Sequence, residues 1–103
     1  MKLGHVASFI KSSNAGATAL TFDIGFPDAK TYHDVLKAKV IAPSTIADLY
    51  GLTPGQVEVF QYTPALAIKV TIPRPVMSGG IEERDFDGVQ QFAPLLDIEV
   101  PDL

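Results

Sequence analysis

Residues 18–26, Thr-Ala-Leu-Thr-Phe-Asp-Ile-Gly-Phe, alternate without a break. Leu20, Phe22, Ile24 and Phe26 fall on one side, and Ala19, Thr21, Asp23 and Gly25 on the other. A helical period of 3.6 would scatter these two sets around an axis, whereas a strand separates them cleanly. The segment therefore reads as a strand with one apolar face. Such a strand requires both neighbouring strands and a second layer to cover that face. Pro27, which lacks a ladder donor, ends it.

Helical spacing follows. Asp28 is placed to cap a helix over residues 29–39, with Tyr32, Val35, Leu36 and Val40 on its apolar stripe. Pro43 opens a second short helix, with Ile46, Leu49 and Tyr50 as the expected buried stripe and Gly51 as its stop. Thr53-Pro54-Gly55-Gln56 fits a type II turn. Residues 57–62 then read as a strand, Thr63-Pro64 as a tight break, and residues 65–72 as a second strand. In the latter Leu66, Ile68, Val70 and Ile72 point inward. So short a link predicts an antiparallel hairpin.

Pro73, Pro75, Gly79 and Gly80 make residues 73–82 a loop. Asp87 is placed to cap a helical turn over residues 88–92, which Pro94 should stop. Residues 95–100 alternate again, with Leu96, Ile98 and Val100 opposite Asp97 and Glu99. Residues 3–11 fit either a short helix or an irregular strand. The expected fold is α+β: a ferredoxin-like sandwich in one domain over residues 1–103, with a four-stranded, mostly antiparallel sheet and helices on one face. Its other face would carry Ala19, Thr21, Asp23, Gly25, Phe60, Tyr62, Ala65, Ala67, Lys69 and Thr71. Small residues with two aromatics suit an interface, for which Phe60, Tyr62, Ala65, Ala67 and Lys69 are the candidates. The alternative is that the N-terminal segment folds back over this face.

Composition narrows the function classes. The chain has 103 residues, no cysteine and a net charge of −4, so disulfides, thiolate nucleophiles and cysteine-held metals are excluded, and nucleic acid is a poor partner. No apolar run reaches the roughly 20 residues of a membrane span, and residues 1–11 do not read as a secretory leader; a cytoplasmic location is the expectation. Charge is uneven: residues 1–80 carry seven Lys/Arg against five Asp/Glu, and residues 81–103 carry one against seven. His5 and His33 have no local metal-ligand partners, and Glu82, Glu83, Asp85 and Asp87 read as a solvated loop and a cap rather than acid–base pairs. Nucleophile-elbow, phosphate-loop and dinucleotide motifs do not occur, so neither a cofactor nor a metal is expected.

Two polar loops remain. Lys11-Ser12-Ser13-Asn14-Ala15-Gly16 offers a cation, hydroxyls, an amide and a permissive glycine, which suits a carboxylate or phosphate. Arg74-Pro75-Val76-Met77-Ser78-Gly79-Gly80 adds an arginine able to grip a carboxylate with two hydrogen bonds. The ligand-binding candidates are therefore Lys11, Ser12, Ser13, Asn14, Gly16, Arg74, Ser78, Gly79 and Gly80; no catalytic residue stands out.

At these loops the chain resembles the domain-of-unknown-function family 4387. The likeness runs through Leu3-Gly4-His5-Val6-Ala7, the Lys11 loop, Leu20-Thr21-Phe22-Asp23-Ile24, Pro64-Ala65-Leu66-Ala67-Ile68-Lys69, Ile72-Pro73-Arg74-Pro75, and Gln90 through Pro101. The order of motifs is also similar to the C-terminal ferredoxin-fold domain of acyclic terpene utilisation A-like proteins. This chain departs from those at Ser12, Ser13 and Asn14, where they are more charged. The resemblance implies a small accessory subunit of a larger protein of that kind. The complex would handle branched or unsaturated carboxylates or their thioesters by hydratase, lyase or isomerase chemistry. A homo-oligomeric ligand-binding or regulatory module is the alternative, and a stand-alone enzyme the third reading.

Overall fold

A computed structural model describes residues 1–16, 18–73 and 89–101. In chain order the elements are α1 (Leu3–Val6), β1 (Phe9–Asn14), β2 (Ala19–Gly25), α2 (Ala29–Ala38), α3 (Pro43–Tyr50), β3 (Glu58–Tyr62), β4 (Ala67–Pro73) and α4 (Val89–Leu96). The four strands form one antiparallel sheet in the order β1-β2-β4-β3. With its helical layer this is an α+β sandwich consistent with the ferredoxin-like class.

Alternation decides which side is covered. Leu20, Phe22 and Ile24 of β2 and Ile68, Val70 and Ile72 of β4 are all buried. They join Tyr32, Val35, Ile46, Ala47 and Leu95 from the helices in a single core. Phe22 stacks on Tyr50 with ring centroids 5.6 Å apart. The Tyr32 hydroxyl reaches the Thr63 hydroxyl at 3.0 Å, so the buried phenol keeps a hydrogen-bond partner at the edge of the core.

Local chemistry sets the helix limits. The Asp28 side chain accepts a hydrogen bond from the Thr31 backbone N–H at 2.8 Å, which caps α2 and holds the Asp28 carboxyl below its ordinary range. Lys39 closes α2 in the left-handed region at φ 58°, and Gly51 closes α3 at φ 69°. Leu49 departs from the expected stripe: it is 40% exposed, and Ala47 takes its place in the core. Residues 53–56 are not a type II turn. Pro54–Gln56 is a 3₁₀ turn, with the Gln56 side-chain carbonyl accepting from the Thr53 N–H at 2.9 Å in a capping box. Leu66, expected at the start of a strand, instead ends the 3₁₀ turn Thr63–Ala65 at φ 52°.

The fourth strand is not residues 95–100. Helix α4 runs through Pro94 to Leu96. Pro94 forgoes one helical hydrogen bond, and the complete burial of Leu95 offsets part of that loss. The chain then extends beside the N-terminus. Leu3 N–H donates to the Ile98 carbonyl at 2.8 Å, Val100 N–H donates to the Met1 carbonyl at 2.8 Å, and Lys2 pairs with Glu99 in an isolated bridge. Ile98 and Val100 are buried, as their alternation implied. The missing strand is β1, so residues 3–11 hold both a short helix and the start of a strand. The expected cap at Asp87, the loop at residues 74–82 and Gly88 lie outside the described residues.

Candidate functional site

The register builds the side of the sheet turned away from the helices. Because pairing is continuous across four strands, its residues line up in rows. Phe9, Gly25, Ala67 and Tyr62 form the first row. Lys11, Asp23, Lys69 and Phe60 form the second, and Ser13, Thr21, Thr71 and Glu58 the third. The N-terminal segment does not fold over this face; as β1 it widens the face by one strand. Three aromatics stay open on it: Phe9 is 43% exposed, Phe60 49% and Tyr62 51%.

Neighbouring groups tie the rows together. The Lys69 ammonium lies 3.9 Å from Asp23 Oδ1 and 5.4 Å from the Tyr62 ring centre. The Lys11 ammonium sits 5.1 Å from the Phe9 ring centre. Both cations are thus held over aromatic rings rather than extended into solvent, an interaction of about 0.5–1 kcal/mol at exposed sites. The Phe9 ring lies against Gly25: a Cβ built there would stand 2.1 Å from Phe9 Cε2. Glycine is therefore what lets the edge aromatic reach over the central strand. Lys11, Asp23, Lys69 and Glu58 balance one another in formal charge, so the face is neutral but patterned.

The interface candidates Phe60, Tyr62, Ala67 and Lys69 share this face, and Ala65 sits in the exposed 3₁₀ turn beside it. The Lys11 segment is not a loop. Lys11, Ser12, Ser13 and Asn14 belong to β1, and strand alternation separates them. Lys11 and Ser13 point to the open face, while Ser12 and Asn14 lie on the side of Phe22 and Leu20. Only Ala15 and Gly16 are in the turn, with the Ala15 N–H bonded to the Ala19 carbonyl and Gly16 at φ 85°. Arg74, Ser78, Gly79 and Gly80 lie outside the described residues. Pro73, which precedes them, pairs with Ala19 and so stands at the same end of the sheet as the β1–β2 turn.

Sequence reasoning did not place Phe9, Lys11, Ser13 and Glu58 on the face. The signal was the alternation of Phe9, Lys11 and Ser13 against Ile10 and Ser12, masked by the low strand preference of serine and asparagine. It also gave no hint of a half-open cleft of about 370 Å³ on the helix side, where Val35, Leu36 and Lys39 face Val59 and Gln61. His5 and His33 are both exposed, His33 with its ring edge against Tyr32. Among the described residues no helix is long and apolar enough to cross a membrane, and no group of three or more His, Asp or Glu could hold a metal ion.

The class defined by this geometry is an open-sheet α+β sandwich, with helices on one side of its sheet and, among the described residues, rows of aromatic, charged and small side chains on the other. Within that class the chain belongs to the family described as Domain of unknown function (DUF4387), whose model matches residues 3–99. Neither the curated proteins nor the solved structures gave a match.

Proposed function

We propose that this protein is a small accessory subunit that docks through its open sheet face on a larger acyclic terpene utilisation A-like protein. The observation that carries the reading is the face itself. Phe9, Phe60 and Tyr62 stay 43–51% exposed on a regular, charge-balanced surface. Aromatics on a flat, small-residue layer are the usual anchors of a protein interface. The family resemblance supplies the partner and the chemistry: a cytoplasmic complex acting on branched or unsaturated carboxylates or their thioesters, as a hydratase, lyase or isomerase. In that complex Lys11 and Ser13 on the open face, Gly16 in the adjoining turn, and Arg74, Ser78, Gly79 and Gly80 would help hold the anionic end of the ligand; Ser12 and Asn14 would act from the other side of β1. The small chain contributes contacts, and the larger protein the catalytic groups.

Co-expression with the larger protein tests this. The two chains should co-purify, and Phe60→Asp should reduce recovery of the complex at least tenfold while the circular dichroism of the small chain stays unchanged. A small chain that never co-purifies with the larger one refutes the reading.

A further inference from the structure

The three rows are self-complementary, and they select one symmetric pairing of two copies. Consider two open faces brought together around a two-fold axis that runs along the strands, between β2 and β4. Each copy's β2 then lies over the other's β4, and β1 over β3. In the second row Asp23 meets Lys69 of the second copy, and Lys69 meets its Asp23. Lys11 meets the Phe60 ring. In the first row Phe9, whose ring covers Gly25, meets Tyr62 and reaches toward Ala67; in the third Ser13 meets Glu58, while Thr21 is already buried at 6% exposure within its own chain. Cations face anions or rings, and aromatics face aromatics. An axis across the strands does the opposite. Centred on the second row, it would set Lys11 on Lys11, Asp23 on Asp23 and Lys69 on Lys69, and like charges directly opposed repel.

We propose that, in the absence of its larger partner, the chain pairs with a second copy of itself through this face, with the two-fold axis along the strands. Aligned sheets pack about 10 Å apart with their strands within about 30° of one another, which this axis provides. Four strands at about 4.8 Å spacing and rows three deep give a contact of roughly 400 Å² per copy. That is about half of the ~800 Å² per partner that a stable complex buries. The dimer is therefore weak and exchangeable: it covers the exposed aromatics until the larger protein displaces one copy. The displacement step rests on the docking reading above; the self-pairing does not.

Charge exchange tests the pairing on the full chain by sedimentation velocity. In Asp23→Lys two lysines oppose each other twice across the axis, and in Lys69→Asp two carboxylates do. Each variant alone should dimerise at least tenfold more weakly than wild type. Mixed in equal amounts they should form a heterodimer. The lysine introduced at position 23 of one then meets the aspartate introduced at position 69 of the other, and the unaltered Lys69 of the first meets the unaltered Asp23 of the second. Contacts within one chain cannot produce that rescue, since neither variant regains its own partner. Ser13→Lys, opposite Glu58 of the second copy, should tighten the wild-type dimer several-fold and decides the matter if either charge variant fails to fold. Wild type that remains monomeric to millimolar concentration, a mixture no better than its components, or Ser13→Lys without effect overturns the self-pairing. Those results leave docking on the larger protein to co-purification, a separate readout.

Discussion

Replacing Gly25 by alanine puts the Phe9 contact to a quantitative test. An alanine Cβ would lie 2.1, 2.4 and 2.7 Å from three ring carbons of Phe9, so the ring must leave. At 43% exposure Phe9 hides rather more than half of its surface. A phenylalanine can bury about 150–250 Å², so roughly 100 Å² is at stake, or about 2.5 kcal/mol at 25 cal/mol per Å². Residual compactness of the unfolded chain reduces this to about 2 kcal/mol. Phe9→Ala should therefore cost about 2 kcal/mol. Gly25→Ala loses much of the same contact but gains about 0.5–1 kcal/mol of backbone entropy, for a net cost of about 1 kcal/mol. Once the ring is gone, the alanine is purely favourable. The double variant should then cost only about 1 kcal/mol, less than Phe9→Ala alone. Additive effects would instead give about 3 kcal/mol. Urea unfolding of the four proteins measures the coupling. Additivity to within about 0.5 kcal/mol would refute the placement of the Phe9 ring on Gly25, and with it the aromatic corner of the open face.

Three further outcomes follow from the fold. Tyr32→Phe removes the hydrogen bond to the Thr63 hydroxyl but leaves that hydroxyl at the surface, so thermal or urea unfolding should show a loss of about 0.5–1.5 kcal/mol. Asp28→Ala should lower Tm at neutral pH. Because the Thr31 N–H depresses the Asp28 carboxyl from 3.8, the stabilisation is present above that value and is lost as pH falls through the folded pKa; the Tm gap between wild type and variant should close in acid. Burial pushes the Tyr50 phenol above its ordinary 10.0, so in alkali the unfolded chain releases that proton first and stability falls as pH rises past 10. Tyr50→Phe should flatten that fall, and phenolate absorbance should show Tyr50 ionising only above 10.

The central part of the fold was readable from local patterns because each pattern had a single physical solution. Residues 18–26 could only be a strand with one apolar side, and the alternation in residues 65–72 fixed the partner side of the sheet; that Thr21 and Gly25 on the other side are buried too was not readable from the alternation. The C-terminal segment misled for a definite reason. Leu96, Ile98 and Val100 are spaced like a strand, but Leu96 ends a helix and only Ile98 and Val100 are extended. Burial alone does not distinguish an extended segment clamped by the N-terminus from a sheet member. Proline added to the error, since a short helix with a fully buried Leu95 tolerates Pro94. At β1 the reverse occurred. Lys11, Ser12, Ser13 and Asn14 have the composition of a loop, yet in this edge strand only Ile10 and Ser12 are half-buried and the rest are exposed, so few apolar residues are needed. The error mattered for the site. A loop would have presented those four side chains together, whereas a strand divides them between two faces.

The same edges explain why association should use the face. An unpaired edge invites another chain to extend the sheet, and both edges here are defended. β1 carries the charged Lys11 and the polar Ser12, Ser13 and Asn14. β3 has only five residues and is bracketed by the 3₁₀ turns Pro54–Gln56 and Thr63–Ala65, each opened by or containing a proline. A strand added beside β3 would find few consecutive partners before a turn carries the chain away. The open face has no such defence. Its charges do not repel an approaching surface as a single-sign layer would, because Lys11, Asp23 and Lys69 alternate along the row. A partner must match that alternation with the opposite order, which a random apolar surface does not. Under the proposed docking, charge order would set who binds, while Phe9, Phe60 and Tyr62 would set how tightly. A variant that keeps the three aromatics but reverses Asp23 and Lys69 together should still bind a second copy of itself and lose the larger protein, which separates the two roles of one surface.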